Sequence, residues 1–180
     1  MTSSGTLRFT PVAMAFHWLT AVLVAVGVAI ALLLDSTETA RDRNDLLAIH
    51  KSIGILIFGL AWLRVLWRTT HAPPPLIVSQ PPWQKAAAWV THVALYLITL
   101  TMPITGFISA AARGRETTFF DLFKIPQWVP LDRSLSTLTE NVHEWSSWGL
   151  YALVGLHVGA VIYHHFVQKD GLFGRMWPGR

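Results

Sequence analysis

Residues 141–157 read NVHEWSSWGLYALVGLH, a stretch in which a single charged residue, Glu144, stands between His143 and His157. Whether it is a soluble or a membrane helix decides how the rest of the chain is built. An α-helix rises 1.5 Å and turns about 100° per residue, so 14 residues put the two imidazoles roughly 21 Å apart and within about 40° of one face. One helix therefore offers two ligands at two depths. A polar ring among hydrocarbon is costly unless it is paired, so ionisable residues inside a membrane span are functional candidates by default.

Composition favours the membrane. Of 180 residues, 52% are hydrophobic and 13% charged, with a mean hydropathy of +0.42, against about 25% charged in a soluble domain. Four apolar segments, 11–34, 46–68, 86–112 and 139–167, each reach the roughly 20 residues that cross a hydrocarbon core about 30 Å thick. The fold expected is an all-α membrane protein, a four-transmembrane-helix bundle forming one domain over residues 1–180. The length of the first segment and its early His17-Trp18 pair argue against a cleaved signal peptide. STETARDRND (36–45) and the proline-rich THAPPPLIVSQPP (70–82) read as links, and 113–138 as the longest link. Pro103 followed by Gly106 predicts a kink in the third span that makes room for a bulky ligand.

The chain has no cysteine, which excludes disulfides, thiolate-bound clusters, covalent c-type haem attachment and cysteine nucleophiles. Any metal chemistry must rest on histidine or carboxylate. The formal charge of +4 comes from basic residues scattered around apolar segments. A lipid bilayer, not nucleic acid, is the partner this distribution fits.

Seven basic residues flank the termini (Arg8, Arg64, Arg68, Lys85, Lys169, Arg175, Arg180) and seven lie on the other side, together with nine of the ten acids. The positive-inside rule is undecided on basic residues alone; the net balance places both termini in the cytoplasm. On that placement His17 and His157 share a cytoplasmic level, and His50 and His143 a periplasmic one. Two histidines at each of two levels suit bis-imidazole haem iron held between facing helices. Zinc asks for a third or fourth protein ligand at one level, which no Cys or Asp supplies. Gly27, Gly54, Gly59, Gly149, Gly155 and Gly159 would let a porphyrin plane lie close to backbone, or serve ordinary small-residue helix packing.

FHWL (16–19), IHKSIG (49–54), THVALYL (91–97), WSSWGLYALVGLH (145–157) and YHHF with KD (163–170) together resemble the bacterial di-haem cytochrome b-561 family in order, spacing and loop lengths. The resemblance implies two b-type haems ligated by His17, His50, His143 and His157, relaying electrons between the periplasmic face and quinone in the bacterial inner membrane. Its superoxide oxidase branch, similar in size, passes electrons from superoxide to ubiquinone. Membrane subunits of nickel–iron hydrogenases and formate dehydrogenases share the four-histidine plan. The chain therefore reads either as a superoxide:quinone oxidoreductase or as a haem-bearing anchor subunit with a redox protein partner. The short 35–45 link offers such a partner little surface. A haem-free transporter using the histidines as a proton relay is a third reading, which depth matching disfavours.

Other residues acquire candidate roles. Arg64 follows His50 by 14 residues and reaches the cytoplasmic level on an inward face, where a guanidinium clamps a haem propionate; the bland alternative is that it snorkels to headgroups, as Arg68 does. His92 and His164 lie near the same level, placed to hydrogen-bond a quinone carbonyl and supply protons. Lys51, beside His50, would draw an anion such as superoxide, aided by Arg113 or Arg115. His71 and His165 read as surface residues, and Trp18, Trp83, Trp89, Trp128 and Trp177 as interfacial anchors.

Overall fold

The computed structural model describes residues 8–75 and 80–179. The chain forms four long helices, α1 (Pro11–Ser36), α2 (Ala40–Thr70), α3 (Pro82–Ala112) and α4 (Arg133–Tyr163). All four are long and apolar enough to cross a membrane. A 31-residue helix is about 46 Å long, so its ends project beyond the hydrocarbon into water. That is why α2 and α4 begin earlier than hydropathy predicts. The polar residues 40–45, expected in a link, form the first turns of α2, with the Thr39 hydroxyl accepting from the Asp42 amide at 3.2 Å. Residues 133–138 likewise open α4 behind the Asp132 cap. Residues 76–79 of the proline-rich link lie outside the described residues.

Most large apolar side chains point outward, among them Leu19, Leu32, Trp62, Leu97 and Leu156, whereas those buried include several small ones, such as Ala61, Ala111 and Ala112. The solvent for this surface is lipid, and the helices meet through small residues and polar staples. The Ser136 hydroxyl, fully buried, donates to the Ser109 carbonyl at 3.0 Å and joins α4 to α3. α3 packs along α4, α1 along α2, and α2 against α3, while α4 has little or no direct packing on α1 or α2. α3 continues through Pro103 as one helix, so the proline does not end it.

The link between α3 and α4 is not all coil. α3 ends in a Schellman motif, with Gly114 at φ +74°, its amide bonded to the Ala111 carbonyl and the Arg115 amide to the Ala110 carbonyl. A two-stranded hairpin follows, β1 (Thr118–Phe119) against β2 (Phe123–Lys124), the one departure from an all-α fold among the described residues. Ser52 of α2 holds it. Its hydroxyl donates to the Ala48 and Thr118 carbonyls and accepts from the Phe120 amide at 2.9 Å.

At the other end of the bundle the two termini meet. A π-helical turn (His164–Gln168) and a 3-10 turn (Phe173–Arg175) carry the chain back under α1. There the Phe9 amide donates to the Arg175 carbonyl and the Trp18 indole to the Met176 carbonyl, at 3.1 and 2.8 Å. Trp18 also packs edge-on against Trp177.

Candidate metal centres

The histidines of α4 face partners on α1 and α2, the two helices on which α4 packs far less than on α3. His143 and His50 have ring centres 6.3 Å apart with planes at 77°, near the hairpin end; His157 and His17 are 6.1 Å apart at 63°, near the terminal end. A metal–imidazole nitrogen bond is about 2.0–2.1 Å and a ring centre lies about 1.1 Å behind its nitrogen, so two imidazoles across one metal have centres about 6.2 Å apart. Both pairs meet that separation. Among the described residues no three His, Asp or Glu side chains converge as a chelating set. The donors present thus suit a haem, whose porphyrin would supply the remaining iron ligands, and His50 with His143 and His17 with His157 are the residues that would hold it.

The outer nitrogens of the hairpin-end pair are treated differently. His143 Nδ1 lies 2.9 Å from the Met102 carbonyl on α3. His50 Nδ1 is buried beside the Gly27 backbone and makes no hydrogen bond of ordinary geometry among the described residues. Of the glycines expected to clear a porphyrin, Gly27 packs on Ile53 and Gly149 on Ile98, as helix-packing residues do, while Gly59, Gly155 and Gly159 face open space.

The remaining candidates divide. Arg64 is brought to the terminal-end level: its guanidinium sits 4.9 Å over the Tyr96 ring and within electrostatic reach of His17, His157 and His92. His92 comes close as well, its ring centre 5.4 Å from that of His157. Lys51 lines a cleft of about 360 Å³ with Asn44, Leu47, Arg115, Glu116 and Thr118, and its ammonium donates to the Glu116 carbonyl at 2.8 Å. Arg113, expected to help Lys51, is instead paired with Glu140 of α4, which cancels its charge. His71 stacks on Trp67 and His165 meets Phe173 edge-on, both exposed as expected.

His164 is the candidate whose surroundings differ most from the sequence reading. It is buried, with Nδ1 2.6 Å from Asp170 Oδ2, so only its Nε2 remains for another partner. Burial raises the Asp170 pKa, but the Leu172 amide, His164 and the Gln80 side chain outweigh it and hold the carboxyl below the usual range. A carboxylate depressed in the native state stabilises the fold above its unfolded pKa of about 3.9, and that contribution is lost as pH falls through the lowered native value. Packing at the terminal end, followed by tryptophan fluorescence in detergent, is therefore expected to loosen only below about pH 4, and Asp170→Asn to remove that acid transition.

Comparison with known proteins gives the family. The family model for prokaryotic cytochrome b561 matches residues 8–179. Cytochrome b561 homolog 1 of Escherichia coli strain K12 is 31% identical over 96% of this chain and 98% of its own length; homolog 2 is 32% identical over 94% and 90%. A Yersinia pestis protein named probable superoxide oxidase CybB is 27% identical over 95% of this chain and 96% of its own length. Because the family match takes in every helix that carries a paired histidine, the chain belongs to the prokaryotic cytochrome b561 family and is a multi-pass bacterial membrane oxidoreductase that transfers electrons through b-type haem.

Proposed function

We propose that the chain is a superoxide:quinone oxidoreductase of the bacterial inner membrane, taking electrons from periplasmic superoxide and delivering them to ubiquinone. The observation that carries this reading is the pair of imidazole separations, 6.3 and 6.1 Å, at two levels of one bundle. His50 and His143 would hold one haem and His17 and His157 the other. Bound there, the two haems supply one-electron centres at successive depths of the membrane. The likeness to a protein named probable superoxide oxidase supports the donor.

The chain's own residues do the rest. Lys51 and Arg115, at the cleft on the hairpin end, attract an anion toward the His50 level. Arg64 neutralises a propionate beside His17 and His157. His92 and His164 serve the quinone, His92 by hydrogen-bonding a carbonyl and His164, backed by Asp170, by passing a proton from the cytoplasmic side. The balance is two superoxide anions, one ubiquinone and two protons giving two dioxygen and one ubiquinol. Only residues 37–39 separate α1 from α2, which leaves little surface for a docked dehydrogenase and favours an enzyme that acts alone.

Purified protein is expected to carry two haems per chain and to form ubiquinol from enzymatically generated superoxide without a second protein. Ubiquinol formation only when a partner dehydrogenase or hydrogenase is added would replace this reading with that of an anchor subunit.

A further inference from the structure

A carbonyl oxygen can only accept a hydrogen bond, so the 2.9 Å contact between His143 Nδ1 and the Met102 carbonyl requires the proton on Nδ1 and leaves the Nε2 lone pair for a metal. The same carbonyl also accepts from the Thr105 hydroxyl at 2.9 Å, and that hydroxyl lies 3.4 Å from His143 Nδ1. One residue further along α3, the imidazole is pressed against Gly106. A methyl group there would stand 3.0 Å from Cε1 and 3.1 Å from Nδ1, tighter than most such contacts, so the ring would have to give way. The Pro103–Gly106 segment, which the sequence marks as a kink, thus acts as a seat for one imidazole.

We infer that residues 102–106 of α3 are a positioning element for His143: the Met102 carbonyl sets its tautomer, Thr105 sets how strongly that carbonyl accepts, and the absent side chain of Gly106 sets the ring's place. The inference rests on the proposed ligation by His50 and His143. A hydrogen bond from Nδ1–H makes an imidazole a more basic ligand. Greater basicity favours ferric over ferrous iron and lowers the reduction potential. His50 Nδ1 makes no bond of ordinary geometry among the described residues, so this control is exerted from the His143 side.

The test is a redox titration of purified holoprotein, with haem quantified per chain. Gly106→Ala displaces the ring and stretches the bond, so one haem is expected either to be lost or to titrate at least about 59 mV higher, the one-electron equivalent of a tenfold change in the ferric preference. Thr105→Val removes the competing donor at nearly constant volume, so that haem's potential is expected to fall with both haems retained. The other haem is the internal reference and is expected to stay in place in both variants. Unchanged potentials in Thr105→Val, or both haems shifting together in either variant, overturn the inference; Thr105→Val decides alone if Gly106→Ala does not fold. Wild-type protein lacking two bis-histidine haems would overturn the ligation reading first. Normal wild-type titration with silent variants overturns only the role of residues 102–106.

Discussion

On the proposed ligation, protein carrying His143→Ala is expected to bind one b-type haem in place of two, and His50→Ala to lose that same haem, whereas His17→Ala and His157→Ala lose the other. The 14 residues between the α4 histidines span roughly 21 Å, too far for one ligand to reach across to the other level. Each pair already stands at the separation one iron requires, so removing a member would leave that haem with one protein ligand in place of two, held less firmly. His92 is not expected to rescue His17→Ala. Its ring centre is 5.4 Å from that of His157, closer than the roughly 6.2 Å of two imidazoles across one metal. Haem quantitation with redox titration of the four variants checks the assignment. If His50→Ala and His17→Ala depleted the same haem, the two-level arrangement would fail.

A charge reversal at Lys51 is expected to slow haem reduction by superoxide about tenfold at low ionic strength, the lower end of what electrostatic steering contributes to association. Lys51 shares its cleft with Arg115. Arg113 is occupied by Glu140, so Lys51→Glu removes a large part of the local positive charge. The deficit is expected to shrink as salt rises, because the screening length falls from about 30 Å at 0.01 M to about 3 Å at 1 M. Reduction by ubiquinol, proposed to react at the terminal end, is expected to be unchanged. Lys51→Gln separates charge from architecture, since the Lys51 ammonium also bonds the Glu116 carbonyl: a loss common to both variants and independent of salt belongs to the loop. Stopped-flow reduction with each donor at two ionic strengths makes the comparison, and equal slowing with superoxide and ubiquinol would mean general damage to the bundle.

What composition and the 3.6-residue period carry is position along one helix and around its axis. From these the four spans, the two levels of histidine and the inward face of Arg64 could all be read from the sequence, because lipid demands long apolar helices and leaves few reasons for an imidazole inside one. Helix ends were less legible: residues 40–45 and 133–138 are polar enough for loops, yet they are helical where the bundle stands in water beyond the hydrocarbon. What one helix cannot encode is its rotation and offset against the next, which follow from close packing across the interface. That is where Arg113 met Glu140, Gln80 reached Asp170, and Met102, Thr105 and Gly106 formed a seat for His143. Each of those contacts joins parts of the chain that no periodicity relates, and each forms where separate elements are packed against one another.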